Sequence, residues 1–220
     1  LRSIAAKYGG QVVNTVSMKG MVKAAVVELL LASVTAFAEN VRKVGLARYV
    51  EPNMKVQVQF TPNDPYWNLQ WGPKKVQVDW AWNTTTGNST VLVAVVDTGI
   101  DYTHPDLMAN YVALGYDWVN MDPDPRDDFG HGTHCAGIVA ATMNNSVGVA
   151  GMAQVRIMAE KVLDAGGSGY EDWIANGIIH ATDQGAKRIS MRLGGYGSSE
   201  LLHEAVKYAY DAGVLVVAAA

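Results

Sequence analysis

The sequence is short of cysteine and of positive charge. Its single cysteine, Cys135, excludes a disulfide within the chain, although this does not by itself assign a cellular compartment. Lysine and arginine number 17 against 21 aspartates and glutamates, which leaves a net charge of −4. Proteins that bind nucleic acids usually carry a basic patch or stripe. The composition therefore argues against a nucleic-acid partner, while 49% apolar residues allow a sizeable core.

A long uninterrupted apolar run is also lacking. The nearest approach is KGMVKAAVVELLLASVTAFA, residues 19–38, in which lysines precede an apolar stretch as they do in signal peptides. Glu28 interrupts the stretch, which lies well inside the chain. A run this short predicts a buried helix rather than a membrane span. We therefore expect no membrane partner.

The composition changes near residue 60. Residues 47–60, ARYVEPNMKVQVQF, alternate apolar and polar side chains as an edge strand does. The stretch that follows, TPNDPYWNLQWGP, is rich in turn-forming residues. We predict a linker or processing region at residues 56–64.

From residue 91 onward, apolar runs alternate with segments of helical spacing. The predicted strands are residues 91–96, 155–163, 186–193 and 214–220, and the predicted helices are residues 170–185 and 198–213. Ser198 or Ser199 is a plausible N-cap of the second helix, and Gly213 follows its end. Strands that alternate with helices indicate an α/β fold with a parallel sheet covered on both faces.

Asp97 follows the first of these strands directly, in VVDTGID. Functional side chains in parallel α/β folds gather at the carboxyl ends of strands. An aspartate held there could accept a hydrogen bond from an imidazole, or it could cap the following turn. The residues alone leave both interpretations open.

The segment FGHGTHCAG, residues 129–137, is typical of a closely packed helix start, because small residues recur in it. His131 could be a general base oriented by Asp97, as hydrolase triads require. His131 and His134 could bind zinc, although the usual motif places histidines four apart with a glutamate between them. Cys135 could be a nucleophile that shares a helix face with His131. The two histidines could also be purely structural.

Several motifs occur in the order and spacing of one family: VAVVDTGIDYTHPDL, GHGTHCAGIVAA, NNSVGVAGMA, KVLDAGGSG and LVVAAA. They make residues 60–220 resemble the subtilisin-like serine proteases, or subtilases. TPNDPY, GPKKVQVDWAW and DQGAKRIS resemble the thermitase branch most. Residues 1–59 are similar to the inhibitory propeptide of that family. The resemblance implies a small α/β propeptide domain at residues 1–59 and a three-layer subtilisin-like α/β domain with a mainly parallel sheet at residues 60–220.

The resemblance implies roles for the two central motifs. Asp97 matches the aspartate that orients the imidazole, and His131 matches the general base. His134 matches a structural histidine, and Cys135 matches a buried position near the site.

The nucleophilic serine of the family lies in a GTSMA motif, and no such motif occurs in these 220 residues. The asparagine of the family's oxyanion hole follows AAAG, whereas this sequence reaches only Ala220. The resemblance thus implies a serine endopeptidase precursor whose catalytic domain is C-terminally truncated. We expect the 220-residue chain alone to be inactive. The alternative is a catalytically inactive subtilase-like fragment that acts by binding or inhibition.

Substrate in this family binds as an added strand between two glycine-containing segments. The matching residues are Gly167, Ser168, Gly169, Leu193, Gly194 and Gly195. Backbone groups hold the peptide, which suits broad specificity. Arg192 departs from the family by replacing a serine beside the site. Arg188 falls where a buried strand has an apolar residue, and a buried unpaired guanidinium is costly.

Calcium is the cofactor that the resemblance implies. The first site comprises Asp64, Asp106, the Asn145 side chain and the carbonyls of Met143, Val147 and Val149. The second site, found in the thermitase branch, maps to Asp117, Asn120, Asp122 and Asp124. Oxygen ligands from loops suit Ca²⁺. For the second site, where Arg126 replaces an expected ligand, a solvated acidic loop is the alternative.

The remaining expectations concern partners and location. The resemblance implies a protein or peptide substrate, and the chain's own propeptide bound to the catalytic domain and cleaved near Phe60. The C-terminal segment of the domain could be supplied as a separate chain, and the protein is expected to be secreted. A zinc hydrolase that uses His104, His131 and His134 is a third alternative.

Overall fold

The structure, a computed structural model, describes residues 1–54, 60–195 and 197–219. The chain divides into two units, Leu1–Gln57 and Val58–Ala220. Each unit has its own buried apolar core. No helix among the described residues has the length and apolar character needed to cross a membrane.

The first unit combines a β-hairpin with two helices. Helix α1 spans Arg2–Lys7, strand β1 Gln11–Met18, strand β2 Met21–Glu28 and helix α2 Val34–Lys43, which a 3-10 turn at Leu31–Ser33 precedes. The strands pair antiparallel across Lys19 and Gly20, whose φ angles of 50° and 77° suit a two-residue hairpin turn. The buried centre consists of Ala5, Phe37 and Val41.

The buried helix predicted for residues 19–38 is wrong in its first half. Met21–Glu28 is strand β2, and α2 begins only at Val34. The valines of this stretch lose side-chain freedom in a helix, whereas they pack well on a pleated surface. Pairing with β1 therefore overrides the helical reading.

The edge strand predicted at residues 47–60 is not found in the part that the structure describes. Residues 47–54 lie in neither a helix nor a strand, and residues 55–59 are outside the described residues. Pro52 lacks the N–H that a strand ladder requires. The predicted linker at residues 56–64 overlaps the same gap, and residues 60–64 have no regular structure.

A five-stranded parallel sheet organises the second unit, in the order β4-β5-β3-β6-β7. The strands are β3 (Leu92–Asp97), β4 (Tyr116–Asp117), β5 (Arg156–Lys161), β6 (Arg188–Met191) and β7 (Leu215–Ala218). The helices are α3 (Trp71–Lys75), α4 (Val78–Ala81), α5 (His131–Ala140), α6 (Glu171–Asp183) and α7 (Glu200–Asp211), and a 3-10 turn spans Trp67–Leu69.

Helices cover both faces of this sheet. Val93 and Val95 pack with α5 on one face, while Ala94 and Val96 pack with α6 and α7 on the other. Successive side chains of a strand point to opposite faces. Burial on both faces explains why β3 is a continuous apolar run. The predicted α/β architecture, with a parallel sheet between helical layers, is confirmed.

The predicted end signals of α7 are confirmed. Ser199 is the N-cap, and its Oγ accepts a hydrogen bond from the Leu202 N–H at 3.4 Å. Gly213 follows the helix with a φ of 78°, the left-handed conformation that glycine favours.

The expectation that Arg188 is buried is wrong. Arg188 is the exposed first residue of β6, and its guanidinium donates to the Lys187 carbonyl at 2.6 Å. Solvent therefore reaches this charge, and no buried unpaired guanidinium arises there.

Candidate active site

Asp97 is the last residue of β3, the central strand, and it is fully buried. Its Oδ1 accepts a hydrogen bond from the Thr98 N–H at 2.7 Å and lies 2.7 Å from His131 Nδ1. Its Oδ2 is buried without a partner among the described residues. The position at a carboxyl strand end agrees with the functional interpretation of this aspartate.

His131 is the first residue of α5, and 36% of its side-chain surface is exposed. A carboxylate only accepts hydrogen bonds, so Nδ1 carries the proton that points to Asp97. Nε2 then has a free lone pair. This is the tautomer that a general base needs, with its orientation fixed by the carboxylate.

Gly132 permits the close approach of α5 to the end of β3. A Cβ on this residue would lie 2.1 Å from the Gly99 carbonyl oxygen and 3.2 Å from the Asp97 Cβ. Its N–H donates to Thr98 Oγ1 at 2.9 Å. The glycine therefore brings the helix near enough for the Asp97–His131 contact.

Asp127 connects the loop after β3 to the start of α5. Its Oδ1 accepts hydrogen bonds from Thr98 Oγ1 at 2.8 Å and from the N–H groups of Phe129 and Gly130. Its Oδ2 accepts from both the N–H and the hydroxyl of Thr133. Burial by itself would raise the pKa of Asp127, but these hydrogen bonds outweigh it and lower that pKa. The carboxylate thus stays ionised and holds both sides of the site.

Lys161 makes a second connection at the same edge of the sheet. Its side chain is 1% exposed, and its Nζ donates to the carbonyls of Thr98 at 2.9 Å and Leu163 at 3.1 Å. It also forms an ion pair with Asp128 at 2.6 Å. Sequence reasoning missed this residue and Asp127. The signal for Lys161 was a charged side chain inside an apolar strand, which must be paired when buried.

Cys135 lies one turn after His131 and is buried. Its Sγ is 3.9 Å from both ring nitrogens of His131. Burial, and next the Asp97 charge, raise the pKa of the thiol to about 11. A thiol that remains protonated at neutral pH is a poor nucleophile. The structure therefore favours packing over nucleophilic chemistry for this residue.

The three histidines of the zinc alternative do not form a shared cluster. His104 Nδ1 accepts a hydrogen bond from the Asp106 N–H at 3.2 Å, and His134 is exposed. Within the described ranges, one group could offer three ligand atoms to a metal ion: Asp97, His131 and Cys135. The arrangement does not support the hypothesis that these three histidines bind zinc.

The two candidate substrate segments follow β5 and β6, the strands on either side of β3. Asp164 Oδ1 accepts the N–H groups of Gly166 at 2.8 Å and Ser168 at 3.0 Å, which lowers the pKa of Asp164. A Cβ on Gly169 would lie 2.1 Å from the Val162 carbonyl oxygen. Gly194 and Gly195 are exposed, and Leu193 is partly buried against the core. The topology therefore brings both segments to the edge that carries Asp97.

The residues of the first predicted calcium site converge on one loop. Asp64 and Asp106 are both buried. Asp64 Oδ2 accepts the Asn144 N–H at 2.8 Å, and its Oδ1 is buried with no partner among the described residues. Asp106 accepts the Asn145 amide at 2.8 Å and the Val149 N–H at 2.9 Å. An orphaned buried carboxylate oxygen beside further oxygen groups fits a hard cation.

The residues of the second predicted calcium site lie in a turn whose polar groups already form hydrogen bonds with one another. Asp117 accepts hydrogen bonds from the Val119 N–H and from the backbone and side-chain nitrogens of Asn120. Asp122 Oδ1 accepts the Asp124 N–H at 2.8 Å, and Asp124 Oδ1 accepts the Tyr102 hydroxyl at 2.7 Å. Arg126 pairs with Asp101 at 3.8 Å. A cation here would compete with these hydrogen bonds.

A second carboxylate–imidazole pair lies on the opposite face of the sheet. His180 Nδ1 is 2.7 Å from Glu160 Oε1, and the Trp118 indole N–H donates to Glu160 Oε2 at 2.8 Å. Burial raises the pKa of Glu160. The hydrogen bond that His180 makes with Glu160 raises the pKa of His180. The pair therefore keeps a proton to higher pH than a free histidine does.

The contact between Glu160 and His180 is expected to make the folded chain less stable as the pH rises. The folded His180 has a pKa above its unfolded value of 6.5, so its stabilisation is complete below pH 6.5 and is lost as the pH rises through the folded pKa. Thermal melts above pH 6.5 should show a larger decline for the natural chain than for a Glu160→Gln, His180→Gln double variant. Equal declines in the two proteins would contradict the stabilising role of the Glu160–His180 contact.

The sequence is similar to proteins of one protease family. The family model described as "Subtilase family" matches residues 88–220. The "Thermophilic serine proteinase" of Bacillus sp. (strain AK1) is 46% identical over 194 residues, which is 87% of this chain and 48% of that protein. Thermitase of Thermoactinomyces vulgaris is 51% identical over 163 residues, 73% of this chain and 58% of its own. The chain thus spans about half the length of these curated relatives.

The fold of this chain is also similar to that of a solved protease structure. The structure titled "Proteases from Pseudoalteromonas arctica PAMC 21717" matches with a TM-score of 0.65 and 36% sequence identity. The match covers 72% of this chain and 58% of that chain.

Proposed function

This chain belongs to the subtilase family of serine endopeptidases, and from that premise we propose that it supplies the aspartate and histidine of a subtilisin-type catalytic triad. Asp97 orients the imidazole, and His131 is the general base. The 2.7 Å contact between His131 Nδ1 and the fully buried Asp97 carries this assignment. The similarity to thermitase agrees with the branch that the motifs predicted.

The proposed catalytic roles of Asp97 and His131 follow from the tautomer of the His131 ring. His131 Nε2 takes the proton of a serine hydroxyl as the oxygen attacks a peptide carbonyl, and later gives it to the leaving amine. Asp97 accepts the Nδ1 hydrogen bond and stabilises the imidazolium that forms between these steps. Asp127 and Lys161 position the two partners, because they tie the loop after β3 to the segment before α5.

A peptide substrate would lie as an added strand at this edge of the sheet. The segments at residues 167–169 and 193–195 offer backbone groups to it from either side of β3. Main-chain hydrogen bonds provide affinity in this binding mode, and alternate side chains provide selectivity.

The nucleophile is proposed to lie outside these 220 residues. We therefore expect that the purified chain neither hydrolyses peptides nor reacts with a serine-directed phosphonate, in an assay with thermitase as the positive control. Sustained hydrolysis by the purified chain that the phosphonate blocks would overturn this part of the proposal. The reading of an inactive binding fragment has no separate observation in its favour.

The first unit is proposed to be the inhibitory propeptide. The match to the proteinase from Bacillus covers 194 residues, more than the second unit contains, and so reaches into the first. Cleavage is placed near Phe60. Inhibition of thermitase by the 220-residue chain, and its loss in a chain that begins at Phe60, would support this role. Secretion is likewise a proposal, which recovery of the protein from culture medium tests.

Calcium is proposed to bind at the loop of residues 143–149, which contacts both Asp64 and Asp106. When bound, it supplies a cross-link between the segment before α3 and the loop after α5. Within the described part of the chain, the carbonyl oxygens of Met143, Val147 and Val149 accept no hydrogen bond, which leaves them available as ligands.

Removal of calcium is expected to lower the melting temperature by about 8–16 °C. A ligand at a thousand times its Kd stabilises a fold by about 4 kcal/mol, and each kcal/mol shifts Tm by about 2–4 °C in a chain of this size. Thermal melts with calcium and with a chelator test this. Asp64→Asn should remove the response, while Asp122→Asn should keep it. An unchanged Tm in the natural chain would exclude a structural calcium site.

A further inference from the structure

Arg192 lies at the carboxyl end of β6, beside the catalytic pair. Met191, the last residue of β6, pairs with Val96, so Arg192 is level with Asp97 along the strands. Ile189 and Met191 belong to the core beneath α6 and α7. Side chains alternate between the faces of a strand. Continued alternation places Arg192 on the face that carries α5 and His131.

The charge of Arg192 acts close to His131. Burial raises the pKa of the Cys135 thiol to about 11, and the Arg192 charge opposes this rise. Because Cys135 Sγ lies 3.9 Å from both ring nitrogens of His131, the guanidinium field extends to the imidazole.

The guanidinium donors of Arg192 have no hydrogen-bond partner in the described part of the chain. The side chain is exposed, and it has no hydrogen bond or ion pair with residues 1–54, 60–195 or 197–219. Two carboxylates of this edge pair with other side chains: Asp97 Oδ1 contacts His131, and Asp128 pairs with Lys161. The planar fork of a guanidinium matches the geometry of a carboxylate.

We propose that Arg192 is a substrate-binding residue that selects peptides with an acidic side chain at the position beside His131. Arg192 directly precedes the candidate substrate segment at residues 193–195. A peptide strand along that segment turns alternate side chains toward the catalytic edge. The net charge of the chain is −4, so a preference for an acidic peptide requires a local cation such as this one. This inference rests on the proposed peptide-binding cleft.

The test is calorimetric binding of two blocked peptides to the full 220-residue chain at low salt. The peptides are Ala-Ala-Ala-Asp and Ala-Ala-Ala-Asn, each with an amidated C-terminus, which differ in charge and hardly in size. The natural chain should bind the aspartyl peptide roughly three- to tenfold more tightly, the range from an exposed ion pair to a charge-assisted bidentate one. Arg192→Ser should bind both peptides equally.

Arg188→Ser is the matched control, because Arg188 is an exposed arginine at the opposite end of the same strand. It should keep the preference for the aspartyl peptide. Equal binding of the two peptides by the natural chain, or a preference that persists in Arg192→Ser, would overturn the role of Arg192 while leaving the cleft intact. Failure of both peptides to bind, in the full chain and also in a chain that begins at Phe60 and so lacks the proposed inhibitory unit, would instead remove the proposed cleft and this inference with it.

Discussion

Replacing His131 by alanine is expected to lower kcat for peptide hydrolysis by about a million-fold in the protein encoded by the reading frame that contains these residues. The reason is the loss of the only base held against Asp97 in the described structure, at 2.7 Å. In subtilisin, a member of the same family, removal of the histidine costs about 2 × 10⁶ in kcat. Binding of substrate should change little, because backbone segments hold the peptide.

His134 provides the matched control for this measurement. It lies on the same helix one turn later, and its side chain is exposed. His134→Ala should keep kcat within a few-fold of the natural value. Comparable activity in the two variants, or inactivation by His134→Ala alone, would contradict the assignment of the base.

Replacing Lys161 by methionine is expected to lower the free energy of unfolding of the chain by about 3 kcal/mol. The change leaves the carbonyls of Thr98 and Leu163 without their donor, and each orphaned buried group costs about 1–3 kcal/mol. Asp128 also loses its ion pair, but its side chain is 48% exposed and water can replace the partner. The corresponding fall in Tm is about 6–12 °C. Thermal melts of both proteins measure it.

Lys187→Met separates this effect from a general loss of charge. Lys187 is exposed just before β6, and surface substitutions change stability by about 0.5 kcal/mol or less. If Lys161→Met and Lys187→Met have the same melting temperature, the three contacts of the Lys161 ammonium contribute little to the stability of this edge of the sheet.

The second unit was largely predictable from local patterns. The alternation of apolar runs and helical segments gave the strands and helices that pack as α/β layers, since each pattern reports which faces are buried. The motifs around Asp97 and His131 identified the family. The resemblance implied that Asp97 and His131 pair, whereas local patterns left this open, because the contact depends on how closely α5 approaches β3 across Gly132.

Residues whose role lies in long-range contacts escaped sequence reasoning. Asp127 and Lys161 act by joining segments about 30 to 60 positions apart, and no local spacing records such a link. Arg188 shows the converse error. Its place in an apolar strand predicted burial, whereas it stands at the exposed start of β6.

The first unit was less predictable, because tertiary pairing decided its structure. Residues 19–38 carry enough apolar side chains for either a helix or a strand. Register with β1 across the Lys19–Gly20 turn selects the strand for Met21–Glu28. Periodicity alone does not distinguish a helix from a strand in a short apolar run.

The most direct test of the Asp97–His131 pair is the position of the ring proton of His131, measured by ¹H–¹⁵N NMR on the 220-residue chain. The structure predicts a strongly downfield proton on Nδ1, where the carboxylate of Asp97 accepts it. In Asp97→Asn the side-chain amide can donate to Nδ1, so the proton should move to Nε2. A proton on Nε2 in the natural chain, or one that Asp97→Asn does not move, would contradict the assignment of Asp97 and His131 as a catalytic pair.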